Sequence, residues 1–196
     1  MLFNCGAVRF GEFRLKLHDT MPDAPLSPIY IDLRIIRSFP DVMESVISVY
    51  QSLIAQLKYD VMADVPTAAT PIVAILSHLL KRPMISPRKD EKKHGIKRQI
   101  DGVFQEGDPV LVVDDLITHA ESKMNAISVL EENGLRVRDV VVLIDREQGG
   151  TQELLKRGYH CHVGFGLGAL LQTYLDSGKI DRSQHERTIA YIRDNS

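Results

Sequence analysis

Length, composition and charge limit the classes of protein to which the chain can belong. It has 196 residues, of which 44% are hydrophobic, and a formal net charge of −2. This length suits a single α/β domain with a sizeable core. The small net charge gives no support for general binding to nucleic acid or to a membrane surface. No apolar run reaches the roughly 18 residues that span a bilayer, and the N-terminus lacks a secretory signal pattern, so we expect a cytoplasmic protein.

Strand and helix patterns alternate along the chain. An alternating segment at 29–34 predicts a first strand, and apolar residues at helical spacing from Val42 to Leu57 predict a helix after it. Further strands are predicted at 59–63, 83–86, 110–114 and 139–145, with helices at 72–80 and 122–133. A short strand soon after residue 158 and helices at 167–176 and 181–193 complete the pattern. Such alternation is typical of a parallel sheet flanked by helices.

The two ends of the chain are predicted to form a small cap, or hood, on this sheet. We assign the hood to roughly residues 1–37 and 158–196, and the core to roughly 38–157, within one domain. In open α/β sheets, ligands bind at the carboxyl ends of the strands. We therefore expect the hood to lie over a ligand site at that edge.

The segment 110–122 contains the clearest candidate site. Its β-branched and aliphatic residues predict a strand buried on both faces, and the strand ends in two adjacent acids, Asp114 and Asp115. A short polar turn then leads into a predicted helix. Backbone N–H groups at a helix start suit an anion, and paired acids suit ribose hydroxyls or a magnesium ion. The alternative is an ordinary βα turn whose acids only cap the helix.

Positive charge is concentrated between residues 81 and 98. Eight Lys or Arg residues stand there against only Asp90 and Glu91, which gives the segment a net charge of +6. Pro87 and Gly95 favour a loop. A solvated charged surface is the usual interpretation of such a run. A basic loop that closes over a polyphosphate is the functional alternative.

Three motifs follow one another along the chain: residues 88–95, the strand and turn at 110–122, and residues 143–150. Taken together, they resemble those of orotate phosphoribosyltransferases, which have the type I phosphoribosyltransferase fold. Residues 10–16 and 27–34 are similar to the N-terminal segment of that family. The Asp-Arg-Glu-Gln-Gly-Gly run within the third motif is the most specific, because neighbouring phosphoribosyltransferase families do not usually carry it.

The resemblance implies a pentosyl transfer in pyrimidine (UMP) biosynthesis. Orotate and phosphoribosyl pyrophosphate, with Mg²⁺, would give orotidine 5′-monophosphate and pyrophosphate. The transition state has oxocarbenium character, and charge builds on the departing pyrophosphate, so catalysis depends on positioning and electrostatic stabilisation. The resemblance also implies a homodimer in which a mobile loop at 87–98 is shared across the interface. No nucleic acid or membrane partner is implied.

The same resemblance assigns roles to individual residues. Asp114 and Asp115 would hold the ribose hydroxyls and support the magnesium ion without binding it directly. Lys92 matches the catalytic lysine of the mobile loop. The other residues implied to bind phosphoribosyl pyrophosphate are Arg88, Lys89, His94, Thr118 and Ser122. The residues implied to bind orotate are Lys16, Thr118 and Arg146.

Two of these assignments have simpler alternatives. Arg146 could pair with Glu147 on the surface, and Lys16 could be one solvated lysine among many. Such alternatives would be preferred for an isolated residue, but five motifs in the family's order favour the functional interpretation.

Some segments depart from the family's pattern. The phosphate turn, which is Thr-x-Gly followed by Ser or Thr in the family, has Ala120 and Glu121 here, which adds a methyl group and a carboxylate where a phosphate is expected to bind. Asp64 places another carboxylate near the expected diphosphate site, and the segment after Lys16 also differs. A second hypothesis is therefore a catalytically impaired homologue that binds a nucleotide or phosphoribosyl pyrophosphate as a sensor or regulatory partner.

Overall fold

The computed structural model describes residues 1–88 and 99–195, apart from the side chains of residues 16 and 17. The strands are β1 (Val8–Phe13), β2 (Ser27–Ile31), β3 (Val61–Asp64), β4 (Met84–Pro87), β5 (Ile100–Asp101), β6 (Pro109–Ile117), β7 (Arg136–Asp145) and β8 (His160–Gly166). The helices are α1 (Pro40–Ile54), α2 (Thr70–Leu80), α3 (Glu121–Glu132), α4 (Gly150–Lys156), α5 (Leu167–Asp176) and α6 (Arg182–Asp194). Short 3₁₀ turns, Lys16–Asp19 and Leu33–Ser38, lie on either side of β2.

Six strands form the main sheet, in the order β5-β4-β3-β6-β7-β8. Neighbouring strands are parallel except β4 and β5, which are antiparallel. Leu111 and Val113 of β6 pack with α1 and α2 on one face, whereas Val110 and Val112 pack with α3 and α4 on the other. Burial on both faces explains the continuous apolar run of β6. The predicted parallel sheet flanked by helices is confirmed, with a short antiparallel strand at one edge.

Helix α1 connects the core to the end of β6. Pro40 occupies its first turn, and Val42, Val46 and Tyr50 are buried along one face at the predicted helical spacing. The buried Tyr50 hydroxyl donates a hydrogen bond to the backbone carbonyl of Asp114 at 2.6 Å. This contact fixes the strand end at which the candidate acids lie.

The terminal segments meet beside the main sheet. β1 and β2 form a separate antiparallel pair, and α6 packs against β2. The Arg187 side chain donates to the carbonyl of Gly11 at 3.4 Å, and Lys179 donates to the Asn4 side chain at 3.0 Å. The hood boundary predicted near residue 158 lies too early, because β8 pairs with β7 in the main sheet. The short strand predicted soon after residue 158 is confirmed as β8.

Three elements, β1, β5 and α4, are not predicted by the sequence pattern. α4 has only seven residues, so its periodicity covers less than two full turns. Of the helices within the described residues, none is long and apolar enough to cross a bilayer.

Candidate active site

A cavity of about 780 Å³ lies at the carboxyl ends of β3, β4 and β6. The loop that follows β3 and the segment that follows β2 complete its wall. Its charged and hydroxyl side chains are those of Asp32, Arg34, Asp64, Thr67, Thr70, Ser86, Arg88, Asp101 and Asp115. The cavity is therefore at the edge where the sequence predicts a ligand site, and its volume suits a small molecule.

Two ion pairs compensate part of the charge in this cavity. Arg34 Nε lies 2.7 Å from Asp32 Oδ1, and hydrogen bonding to Arg34 lowers the pKa of the Asp32 carboxyl. Arg88 Nη2 pairs with Asp101 Oδ1. Within the described residues, no Lys, Arg or His lies at ion-pair distance from the other two carboxylates, Asp64 and Asp115. The cavity thus carries negative charge that its own described side chains leave uncompensated.

Asp115 is the member of the acidic pair that lines the cavity. It is 9% exposed, and its Oδ1 accepts a hydrogen bond of 2.8 Å from the backbone N–H of Leu116. Burial, and secondly the neighbouring Asp114 carboxylate, raise the pKa of Asp115 to about 7. A carboxyl group in this environment is half ionised near neutral pH and lies against the space available to a ligand.

Asp114 is held in a different environment. Its Oδ2 lies 2.6 Å from the Nζ of Lys123, and its Oδ1 accepts the backbone N–H of Asp115 at 2.9 Å. Asp114 does not line the cavity. The structure therefore separates the two acids that the resemblance assigns to one task.

Lys123 is a site residue that the sequence analysis missed. It is 3% exposed, donates to the carbonyl of Leu116, and lies 3.4 Å from the Ser122 hydroxyl. The signal was present, because Lys123 shares the buried face of α3 with Ile127 and Leu130 at spacings of four and seven residues. A lysine on an apolar helix face predicts a buried ionic partner.

The turn between β6 and α3 is suited to an anion. Within the described part of the chain, nothing accepts a hydrogen bond from the backbone N–H groups of residues 119–122. Ala120 has φ −70 and ψ −1, a right-handed conformation that alanine adopts without strain. The departure from glycine therefore costs no backbone strain at this position, and the effect of the methyl group on a bound phosphate stays a prediction. Thr118, at the start of this turn, is partly buried. N–H groups without a described acceptor at the start of a twelve-residue helix suit an anion, as the sequence predicts.

Glu121 lines a second cavity and not the main one. Its side chain is exposed and, with Ser122, Asn125 and Arg88, lines this cavity of about 370 Å³. Because Pro66, Pro87 and Arg88 line both cavities, the two cavities adjoin, and the expected position of this carboxylate near the phosphate stays a prediction.

The loop after β3 offers further N–H donors. The N–H groups of Thr67 and Ala68 make no hydrogen bond to any residue in the described ranges, and the Pro66–Thr67 peptide bond is cis. Asp64 is buried behind them, where it accepts a hydrogen bond from the Thr70 hydroxyl on Oδ2. The other oxygen of Asp64 has no partner among the described residues. The loop thus combines two available donors with a carboxylate in the cavity wall.

The Asp-Arg-Glu-Gln-Gly-Gly motif packs against the turn after β6. Gly150 N–H donates to the Thr118 carbonyl at 3.0 Å, and a Cβ on Gly150 would lie 2.6 Å from that oxygen. Arg146 is 8% exposed, and its Nε and Nη2 have no acceptor among the described residues. Burial lowers the pKa of the Arg146 guanidinium. The alternative of a surface pair with Glu147 is therefore wrong, although Arg146 does not line the main cavity.

Part of the predicted site lies outside the described residues. Lys89, Lys92 and His94 belong to residues 89–98, and the side chain of Lys16 is also outside the description. In the two described ranges, no group of three or more His, Cys, Asp or Glu side chains is arranged to hold a metal ion.

Comparisons with known proteins identify the family. The chain is 37% identical over 172 residues to the orotate phosphoribosyltransferase of Pyrobaculum aerophilum, covering 87% of the chain and 86% of that protein. The chain belongs to the orotate phosphoribosyltransferase family. It is also 35% identical over 183 residues to the bifunctional enzyme PyrF/PyrE of Nostoc sp., covering 93% of the chain and 37% of that protein. No family model matches the chain.

The fold of this orotate phosphoribosyltransferase family member agrees with a solved structure. The UMP synthase of Leishmania donovani superposes with a TM-score of 0.87 at 35% identity, covering 98% of the chain and 41% of that protein. The chain thus spans about two fifths of the length of these two larger relatives. The resemblance deduced from the motifs, and the type I phosphoribosyltransferase fold that it implies, are confirmed.

Proposed function

We propose that the protein is an orotate phosphoribosyltransferase. It would transfer ribose 5-phosphate from phosphoribosyl pyrophosphate to orotate, giving orotidine 5′-monophosphate and pyrophosphate. The observation that carries this proposal is the cavity at the carboxyl edge of the sheet. It combines the buried carboxyl of Asp115 with Arg88 and the free N–H groups of Thr67 and Ala68, next to a helix start suited to phosphate.

Each part of phosphoribosyl pyrophosphate has complementary groups in this arrangement. The N–H groups of residues 119–122, with the hydroxyls of Thr118 and Ser122, suit the 5′-phosphate. Asp115, which lies one strand from the loop after β3, suits the ribose hydroxyls. The N–H groups of Thr67 and Ala68 suit the diphosphate.

Basic residues complete the proposed diphosphate site. Arg88 already lies in the cavity wall, although Asp101 shares its charge. By the family resemblance, Lys89, Lys92 and His94 add positive charge where it builds on the departing pyrophosphate. Lys92 is the proposed catalytic lysine among them. Stabilisation of that charge favours the transition state over the bound substrate.

The residues of the cavity fit a magnesium ion. Mg²⁺ usually takes one or two carboxylates and completes its octahedron with water and substrate phosphate oxygens. By the family resemblance, Asp114 and Asp115 would support the ion without binding it directly, and Asp64 offers a further carboxylate with no described cation at ion-pair distance. When bound, the ion would offset the negative charge of the diphosphate in an already acidic cavity.

Arg146 is proposed to bind orotate. Two of its guanidinium nitrogens are buried without a described acceptor, and a carboxylate is the acceptor that matches a guanidinium best. Its backbone N–H donates to Ile117 O at 2.9 Å, so Arg146 lies beside the turn that carries Thr118. Lys16 and Thr118 would complete the base site. In the transfer, the bond from ribose C1′ to the pyrophosphate oxygen breaks as the bond to the orotate nitrogen forms.

We also propose that the enzyme is a cytoplasmic homodimer, in which residues 87–98 of one subunit serve the site of the other. The support is the resemblance of residues 88–95 to the mobile loop of the family. The ends of the chain, as a hood, would limit the access of water to the cavity. The packing of α6 against β2, which brings the two ends of the chain together, supports this part of the proposal.

The fall in orotate absorbance tests the proposed reaction. The protein is mixed with orotate, phosphoribosyl pyrophosphate and Mg²⁺, and calorimetry measures the binding of each substrate alone. We expect turnover, and we expect Asp115→Asn to remove it. Binding of phosphoribosyl pyrophosphate without turnover would support a sensor instead, and loss of neither activity nor binding in Asp115→Asn would contradict the proposed site.

A further inference from the structure

Glu147, in the most specific motif of the chain, has no role in the site described so far. Its backbone has φ +59, the left-handed conformation that side chains other than glycine rarely adopt. Such a conformation persists only where the surroundings determine it. The contacts of Glu147 therefore need a specific explanation.

The carboxylate of Glu147 lies at the start of α5. The backbone N–H of Gly168 donates to its Oε2 at 2.9 Å. Gly166, which precedes the helix, supplies no side-chain cap of its own. A Cβ on Gly168 would lie 3.0 Å from Oε2, and a Cβ on Gly166 would overlap Oε1. The two glycines thus leave the space that this carboxylate occupies, and a negative charge stabilises the N-terminal end of a helix.

The same residue holds one end of the Arg146 backbone. Glu147 N–H donates to Asp145 Oδ1 at 2.7 Å, so the residues on both sides of Arg146 are tied together. α5 is itself anchored in the core through Leu167 and Leu171, which are fully buried. The carboxylate therefore links the backbone around Arg146 to a rigid helix.

We propose that Glu147 is a positioning residue for orotate: by capping α5, it fixes the backbone that presents Arg146 to the base. This role rests on the proposed function, because it requires Arg146 to bind orotate. It assigns to Glu147 an effect mainly on orotate, since the backbone that it fixes carries Arg146, whereas the groups proposed for the diphosphate lie on the loop after β3 and at Arg88.

Glu147→Gly is the decisive variant. Glycine accepts the left-handed conformation, so the variant removes the carboxylate without adding backbone strain. Steady-state kinetics with both substrates, together with orotate calorimetry, should show a KM for orotate raised at least tenfold. The KM for phosphoribosyl pyrophosphate should stay within twofold. Glu147→Gln keeps an acceptor oxygen and should recover most of the orotate affinity.

Glu153→Gln is the matched control. Glu153 is a nearby acid on α4 that pairs with Arg157 and lies outside the proposed site, so its KM values should match those of the wild type. Amide exchange reports the capping contact independently of activity, and Gly168 N–H should exchange at least tenfold faster in Glu147→Gly. Equal orotate affinity in wild type and Glu147→Gly would overturn this role alone. Failure of the wild type to bind or convert orotate would overturn the proposed function and this role with it.

Discussion

The Nζ of Lys123 lies 2.6 Å from the Oδ2 of Asp114, and both side chains are almost fully buried. The lysine comes from the first turn of α3, and the acid from the strand that precedes it. The charge of Asp114 is thereby compensated inside the protein, and of these two adjacent acids only Asp115 lines the cavity. The ion pair divides the acidic motif into a structural and a ligand-facing member.

Lys123→Met should strongly destabilise the protein, because it leaves Asp114 buried without its cation. The expected loss in the free energy of unfolding is about 3–5 kcal/mol. The double variant Lys123→Met/Asp114→Asn removes both charges and should recover much of that loss. Urea unfolding of the wild type, both single variants and the double variant measures the coupling. Additive losses would show that the pair contributes no interaction of its own.

The elevated pKa of Asp115 predicts a pH dependence of stability. The folded state keeps a proton on Asp115 up to about pH 7, whereas an unfolded aspartate releases it near pH 4. Because the folded state binds more protons between these values, the contribution of Asp115 makes the unfolding free energy fall as pH rises from about 4 to about 7.

Asp115→Asn should therefore stabilise the protein while removing activity. At pH 8 the free energy of unfolding should rise by a few kcal/mol, since the pKa of Asp115 is raised from 3.8 to about 7 and each unit corresponds to more than 1 kcal/mol. Denaturant unfolding of wild type and variant at pH 5 and pH 8 tests this, and the gain should be larger at pH 8. An equal gain at both pH values would contradict the assigned ionisation.

Glu121→Ser should have a small effect on phosphoribosyl pyrophosphate. Glu121 is exposed and lines the second cavity, so solvent screens its charge. We expect the dissociation constant measured by calorimetry to fall by less than about threefold. Glu106→Ser, a change of an exposed acid in the turn before β6 that lines neither cavity, provides the comparison. A gain above tenfold would mean that Glu121 reaches the phosphate.

Mixing two inactive variants tests the shared loop. Lys92→Ala removes the proposed loop lysine, and Asp115→Asn removes the ligand-facing acid. If the loop of one subunit serves its partner's site, random reassociation should restore about a quarter of the wild-type activity, because half of the dimers then contain one intact site. If instead the loop serves its own subunit, a mixed dimer contains no intact site, and mixing should restore no activity. Absence of recovery, in a mixture shown by native mass spectrometry to contain mixed dimers, would count against the exchange.

The sequence predicts the elements of the fold well wherever periodicity extends over a long segment. The range of α5 agrees with its prediction at both ends, and α3 ends just before Gly134 as expected. α4 was harder, because a seven-residue helix carries weak periodicity. Strand order places Asp115 and Arg88 at one edge, so their approach could also be predicted.

Side-chain pairing at the site could not be predicted in the same way. The sequence shows two adjacent acids but not that Asp114 turns to Lys123, because that choice depends on burial of the lysine by the packed sheet. Likewise, the direction of Glu121 follows from where α3 begins, and a shift of one residue would turn its side chain by about 100°. Contacts between distant segments, such as Glu147 with α5, leave no local pattern at all.

The packing of α6 against β2 also has a consequence for folding during translation. About 150 residues separate the end of β2 from the start of α6, and a ribosome needs roughly 10–30 s to add them. During that time the β1–β2 ribbon has no helix to cover it, and an isolated two-stranded ribbon is only marginally stable. The nascent chain can form the central sheet first, but the β1–β2 ribbon gains its helical cover only once translation has delivered α6. A growing chain therefore forms its central sheet before this part of the fold is complete.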